Sequence, residues 1–399
     1  MSLEQQLRVP GPTPLPERVV RSQSRPMINH RGPEAAVVVR DIVEGLRWSL
    51  QTANDILFFP ASGTGGLEAA VANLLSPGEK VLFCSIGNFG KRWADIARAY
   101  SVDVIYHETV WGEPLDAEDV ERLLAQNPEV TKVFVTHNET STGVVNDIAA
   151  VAAVVKSRGK LLVVDSVSGA GSMPLPVDEL QIDVAITGSQ KGWMAPPGLT
   201  MLSVSAQAWA AVETSTCPSF YFDFTRQKGF IDKGTTYTTP PISVMYALQE
   251  GLAMMREEGL ENVFARHQKV ADMIRAGMSA MGLRLVAPEG YRSNTVTAVH
   301  SPFPDETGLK AFLTSLRTEH GLVLAGGQGQ LTGKVFRVGH LGMIEERDAY
   351  HILAVTELGL LQQGVLSRIG LAVPAAQAVA RGTTATLSAE ALGPIGAPA

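Results

Sequence analysis

In the stretch "LLVVDSVSGAGSMPLPVDELQIDVAITGSQKGWMAPPG", two residues have the types and positions to do chemistry: Asp165 ends one apolar run and Lys191 follows the next. Ligands of open α/β sheets bind outside the carboxyl ends of the strands, so both groups fall where a small molecule would meet them. A lysine there forms a Schiff base with a carbonyl, and a buried carboxylate nearby keeps a heteroaromatic nitrogen protonated. That pair describes pyridoxal phosphate chemistry, the lysine holding the aldehyde and the aspartate making the ring an electron sink. Taken singly, lysines and aspartates at strand ends are mostly solvated turn residues. The neighbourhood raises this pair, because "GSQKGWMAPPG" flanks Lys191 with small and rigid residues and offers no adjacent acid to neutralise it.

Such a cofactor needs a seat for its phosphate, and "ASGTGGLEAAVANLL" supplies one. The strand-like run "DILFFPA" leads into Gly63, Thr64, Gly65 and Gly66, after which helical periodicity begins. Free amides and the positive end of the helix dipole then face an anion. The glycine run is neither a P-loop nor a dinucleotide fingerprint, and a turn of this kind also serves tight packing. A ring cofactor also wants a stacking surface. In "SIGNFGKRW", Phe89 stands at another strand's carboxyl edge, where an aromatic side chain covers a pyridine face or simply fills a core.

Short apolar runs must position these groups. "DILFFPA", "KVLFCS", "DVIYHE", "KVFVTHN", "KLLVVDS", "DVAITG" and "LTMLSVS" alternate with helical segments such as "GLEAAVANLL", "DAEDVERLLAQN" and "DIAAVAAVVKSRG". That alternation predicts an α/β fold with a mostly parallel sheet covered on both faces by helices. A helix is expected from Pro33 to Ala53, a long functional loop after Thr214, and a helix from Ile242 to Glu257. Beyond them a smaller α/β domain mixes strands ("NTVTAVH", "KVFRVGH") with helices. We expect an N-terminal segment over 1–30, a large domain over 31–257, a small domain over 258–370 and a low-complexity tail over 371–399.

Composition narrows the function. With 45% hydrophobic and 18% charged residues the chain reads as an ordinary soluble α/β protein. Its net charge of -7 comes from acids and bases mixed along the chain, so we expect neither a nucleic-acid nor a membrane partner, and small molecules instead. Two cysteines, Cys84 and Cys217, are too few for a disulfide framework and lack metal-ligand spacing. The start "MSLEQQLRVPGP" lacks a basic-then-apolar pattern, and the apolar runs are far shorter than the roughly 20 residues that span a bilayer. The expectation is a cytoplasmic protein that needs no metal.

In order, "GPTPLPERV", "SGTG", "GNFGKRW", "THNETSTGV", the Asp165–Lys191 stretch and "FRVGHLG" resemble the class V aminotransferases, most of all their alanine-glyoxylate and serine-glyoxylate (serine-pyruvate) members. The resemblance runs from about Val9 to Gly364. It implies the type I fold of pyridoxal-phosphate-dependent transferases, with Lys191 as the Schiff-base lysine and Asp165 on the pyridine nitrogen. It further implies Phe89 against the ring, Thr64, Gly65, Gly66 and Gln190 at the phosphate, and Thr140 near the ring substituents. Arg337 corresponds to the arginine that grips the substrate carboxylate, a role that also suits the bidentate fork of a guanidinium. The family places its active site at a homodimer interface, where Tyr237 and Thr239 of the partner's "KGTTYTTPP" reach the phosphate; Thr238 matches Thr239's position equally well. His30, in "INHRGPE", has no assigned role beyond a structural one.

The implied reaction passes an amino group from serine or alanine to glyoxylate, with ping-pong kinetics. A single substrate arginine suits a short uncharged side chain better than a dicarboxylate. Pyruvate as acceptor and a ureidoglycine-like donor stay open, since small side chains are told apart by only a few kcal/mol. The alternatives are a lyase or desulfurase of the same fold, which needs an accessible thiolate, and a noncatalytic subunit that retains the fold.

Overall fold

The apolar runs of the first half become one seven-stranded sheet in the computed structural model, which describes residues 5–383. Its strands are β1 (Asp55–Ala61), β2 (Lys80–Ser85), β3 (Asp103–Glu108), β4 (Lys132–Thr136), β5 (Leu161–Asp165), β6 (Val184–Gly188) and β7 (Gly198–Val204). They lie in the order β3-β2-β4-β5-β6-β7-β1. β7 runs antiparallel to both neighbours, and the remaining pairs are parallel.

β4, β5 and β6 are buried at every position, which is why their sequences are unbroken apolar runs rather than alternating ones. Successive side chains serve opposite cores. Val133 and Val135 join one with Val38, Ile42 and Leu46 of helix α1 (Pro33–Ser49). Phe134 joins the other with Ala70, Val71 and Leu74 of helix α2 (Gly63–Leu74). Helix α3 (Asn88–Ala99) follows β2 and adds Trp93 to that second core, edge-on to Phe83 and Phe134.

The sequence leaves the residues after Thr214 as loop, whereas helix α4 occupies Phe224–Ile231. Asp223 starts it by accepting from the Arg226 N–H at 2.8 Å. It buries only Phe224 and Gln227, too little to leave an apolar stripe in the sequence. Helices α5 (Ile242–Glu258) and α6 (Leu260–Ala280) lead into the second half.

There a three-stranded antiparallel sheet forms from β8 (Val296–His300), β9 (Ala325–Gly326) and β10 (Val335–Gly339), with β10 in the middle. Helices α7 (Glu306–His320) and α8 (Glu346–Gln362) complete its core through Phe312, Leu316, Ile352 and Leu353. The expected tail begins differently: Ala372–Ala380 is helix α9, packed on α6 and α8 with Ala372, Ala375 and Ala376 buried. Those alanines sit at helical spacing, but in an Ala-rich segment the stripe does not stand out from its background. The rest of the tail, 384–399, lies outside the described residues.

The N-terminal segment connects the halves. Gln6–Leu7 pairs in parallel with Leu322–Val323, and Arg8 bonds Asp348 at 2.6 Å. From there residues 10–13 run to the carboxyl edge of the large sheet, where Thr13 N–H donates to the Gln190 carbonyl at 3.3 Å.

Candidate active site

Asp165 is the last residue of β5, in register with Thr136 of β4 and Ile186 of β6, and Lys191 follows the end of β6. They are 4% and 8% exposed, so neither is a solvated turn residue. Burial pushes the Asp165 carboxyl up to about 7. The Val167 N–H, donating at 2.9 Å, opposes that rise, Glu139 adds to it, and Lys191 and Arg92 oppose it. Burial pulls the Lys191 amine down to about 8, with Arg337 helping and Asp165 and Glu139 opposing. An amine desolvated in this way is half neutral near pH 8, and its neutral form is a nucleophile for a carbonyl. In this structure it donates to the Pro10 carbonyl, so the N-terminal segment forms one wall of its pocket.

The seat at the start of α2 lies beside this pair. Gly65 and Gly66 donate their N–H groups back to the Ser62 carbonyl, at 2.9 and 3.4 Å. The outward-facing amides of the first turn are therefore those of Gly63 and Thr64. Gly65 lets the turn close on the end of β1: a β-carbon on it would stand 2.6 Å from that of Ala61. Gln190 reaches the same place, since a β-carbon on Gly188 would lie 3.1 Å from Gln190 Oε1 and 3.4 Å from Gly63 N.

Phe89 sits in the first turn of α3, and Arg92, one turn on, lies over its ring at 4.8 Å while donating to Thr64 Oγ1 at 3.3 Å. Thr140 Oγ1 donates to Ser168 Oγ at 2.7 Å. Arg337, on β10, reaches across from the small sheet: Nη1 donates to the Thr140 carbonyl at 3.1 Å and Nε to the Gly326 carbonyl at 2.9 Å. Burial lowers its pKa to about 10, with Glu139 opposing. Among the described residues no carboxylate pairs with this guanidinium, so its charge is left for a ligand.

The structure thus brings together Lys191, Asp165, Thr64, Gly65, Gly66, Gln190, Phe89, Thr140 and Arg337. It does not bring Tyr237 or Thr239 to them within one chain. Tyr237 accepts from Arg226 Nη1 at 2.7 Å and packs on Phe220 and Phe230, and Thr239 is exposed. His30 offers its carbonyl to Thr235 Oγ1 at 2.8 Å, a link inside the same surface region. Sequence reasoning missed Arg92 and Glu139. Arg92 was readable as the i+3 neighbour of Phe89 on a helix; Glu139 had no signal beyond its place in "THNETSTGV".

These residues fit pyridoxal phosphate. The Gln190 amide, whose Oε1 is buried without a partner, stands beside the first amides of α2, where its Nε2 end is the donor a phosphate would take, and a buried amine and a buried carboxyl stand at neighbouring strand ends. An aldehyde, a pyridine nitrogen and a phosphate would meet chemically matched groups there.

Comparison with known proteins agrees. The chain belongs to the class-V aminotransferase family, whose model matches residues 11–330. It is 40% identical to a soluble hydrogenase 42 kDa subunit of Anabaena cylindrica, over 90% of this chain and 94% of that one. It is 39% identical to an L-aspartate–glyoxylate aminotransferase of Paracoccus denitrificans (98% and 100% covered). It is 38% identical to a serine–glyoxylate aminotransferase of Methylorubrum extorquens (94% and 96%). Among solved structures, the ureidoglycine-glyoxylate aminotransferase of Bacillus subtilis superposes with a TM-score of 0.89 at 29% identity, covering 96% of this chain and 99% of that one. The fold is type I of the pyridoxal-phosphate-dependent transferases, and pyridoxal phosphate is the cofactor.

Proposed function

We propose that this chain transfers the amino group of a small amino acid, serine or alanine, to glyoxylate, giving glycine and a 2-oxo acid. The observation that carries the reading is the buried Lys191 amine at the sheet's carboxyl edge, within electrostatic reach of Asp165 and Arg337. Pyridoxal phosphate, when bound, supplies the electron sink and the carbonyl that carries the amino group.

The chain's own residues do the rest. Lys191 Nζ would hold the cofactor's aldehyde carbon and, once the donor's amino group has displaced it there, would take the α-proton as base and deliver it as acid to that cofactor carbon. Asp165 keeps its negative charge against the ring nitrogen. Phe89 covers one ring face and Thr140 approaches the ring substituents. Thr64, Gln190 and the turn through Gly65 and Gly66 seat the phosphate, while the Arg337 fork takes the substrate carboxylate. Tyr237 and Thr239, with Thr238 an equal candidate, would complete the phosphate seat from a second copy in a homodimer. Free Cys84 and Cys217 suit a reducing compartment, and we place the protein in the cytoplasm.

Arg92 favours a second reading. A guanidinium near Asp165 is a candidate for a donor's second carboxylate, and the Paracoccus relative is named for aspartate. We retain the small donor because Arg92 is engaged with Thr64 and the Phe89 ring, on the phosphate side. The hydrogenase name of the Anabaena relative favours a noncatalytic subunit. A desulfurase has less support: Cys84 is buried with its thiol pushed up to about 12, and burial raises Cys217 as well.

The test is a donor and acceptor screen scored by kcat/KM, with Lys191→Ala as the inactive control. Serine or alanine with glyoxylate should lead. Aspartate leading would replace the donor, and purified protein that stays colourless after pyridoxal phosphate is added would replace the enzyme with the subunit.

A further inference from the structure

We propose that Glu139 is a positioning residue for the cofactor ring: its carboxylate fixes the backbone of Phe89 and thereby sets the tilt of the aromatic face that the ring meets. Glu139 is fully buried and accepts four hydrogen bonds. Oε2 takes the Phe89 N–H at 3.0 Å and the Gly90 N–H at 3.3 Å; Oε1 takes the Ser141 N–H at 3.0 Å and the Ser141 hydroxyl at 2.6 Å. Ser141 Oγ in turn accepts from the Asn88 N–H at 3.0 Å. Two residues of the loop after β4 therefore hold the first three amides of α3.

A helix cap alone does not call for this arrangement. Capping is ordinarily local, from a Ser, Thr, Asn or Asp at the N-cap position itself. Here the N-cap is Gly87, which has no side chain to offer, and the acceptor comes from 50 residues away in sequence. A β-carbon on Gly87 would lie 2.5 Å from Glu139 Cγ and 2.6 Å from Ser141 Oγ, so the loop is shaped around the carboxylate. Burying that charge is costly: burial pushes its pKa upward against the pull of the Ser141, Gly90 and Phe89 donors. What the link secures is register between strand ends. Glu139 precedes Thr140, whose carbonyl holds Arg337, so one rigid loop sets Phe89 and Arg337 against Lys191 together.

The inference rests on the reading of Phe89 as the residue against the ring. Its test is the affinity of the cofactor-free protein for pyridoxal phosphate, followed by absorbance and visible circular dichroism, in wild type, Glu139→Gln, Phe89→Ala and the double variant. Loss of well-formed bonds to a buried carboxylate should weaken binding about tenfold or more in Glu139→Gln and reduce the circular dichroism of the bound cofactor. In the Phe89→Ala background the same change should have much less effect, because the residue it acts through is gone. Equal effects in both backgrounds, or wild-type binding by Glu139→Gln, overturn the proposal. Phe89→Ala binding as tightly as wild type would remove the stacking reading as well, whereas additivity removes the coupling alone. Should Glu139→Gln fail to fold, Ser141→Ala, which keeps the carboxylate and removes its hydroxyl donor, takes its place with the same dependence on Phe89 required.

Discussion

Gly11 lies against Lys191 so closely that a β-carbon built on it would stand 2.7 Å from Nζ. The backbone there has φ +103°, a conformation that residues with a side chain rarely adopt. The N-terminal segment can thus pass over the amine only with glycine at this position. Gly11→Ala should cost about 1–3 kcal/mol of stability through backbone strain and weaken cofactor binding by crowding the lysine. Thermal unfolding and a cofactor titration measure the two effects; a variant indistinguishable from wild type in both would mean the segment yields freely.

Asp165 should oppose stability in the cofactor-free protein above neutrality. Its folded pKa is raised from 3.8 to about 7, so between those values the native state binds more protons than the unfolded chain, and stability falls as pH rises through that window. Asparagine keeps an acceptor for the Val167 N–H and removes the charge. Asp165→Asn should therefore be more stable than wild type at pH 8, by on the order of a few kcal/mol, with little difference near pH 4, and should lose most of its activity. Unfolding midpoints across that pH range decide it: an equal gain at both ends would point to packing instead of charge.

Lys191 gives the opposite slope. Its folded pKa is lowered from 10.5 to about 8, so the unfolded chain binds more protons between those values and stability rises with pH across them. In the cofactor-free protein the amine should react with an acylating reagent at a rate that climbs through about pH 8 and levels off. Peptide mapping of the labelled lysine reads that rate directly, and a midpoint near 10.5 would contradict the desolvated amine.

The large sheet was legible because strands buried on both faces are written as unbroken apolar runs, such as "LLVVD" and "KVFVT", closed by the polar residues that reach the pocket. Lys191 and Asp165 follow from that pattern, since the chemistry sits at strand ends, whereas Gln190 came only with the family resemblance. Glu139 did not follow, because its role arises from a contact between separate segments, with Phe89 across 50 residues; the place of Arg92 beside Phe89 is local and was readable, whereas its bond to Thr64 spans 28 residues. Helix α9 was hidden by composition, its buried face being alanine in an alanine-rich stretch.

Arg337 should matter to substrate more than to cofactor. Its guanidinium is buried, positioned by the Thr140 and Gly326 carbonyls, and leaves its charge for an anion. Lysine carries the charge without the planar fork. Arg337→Lys should lower kcat/KM for amino donor and oxo acid alike by about ten- to a hundredfold, the scale of a lost charge-assisted hydrogen bond, while cofactor affinity stays within about threefold, under 1 kcal/mol. Steady-state kinetics beside a cofactor titration separate the two, and an effect confined to cofactor affinity would remove Arg337 from the substrate's carboxylate.

Glu357 should govern stability without touching catalysis. It is buried on α8, and its Oε1 accepts from the Leu371 N–H at 2.6 Å and the Ala372 N–H at 3.2 Å, where α9 begins. A carboxylate at that end satisfies amides the helix cannot satisfy itself and complements its dipole. Alanine there would leave the amides unpaired and loosen a helix whose contacts are with α6 and α8. Glu357→Ala should lower stability by about 1–3 kcal/mol, and Glu357→Gln, which retains an acceptor, should recover much of it. Because α9 packs on helices and contributes no side chain to the pocket described around Lys191, kcat/KM should stay within about twofold of wild type at temperatures where both variants remain folded. Denaturant melts and steady-state rates on the same preparations test this together: a fall in kcat/KM without a fall in stability would show that helix α9 communicates with the active site.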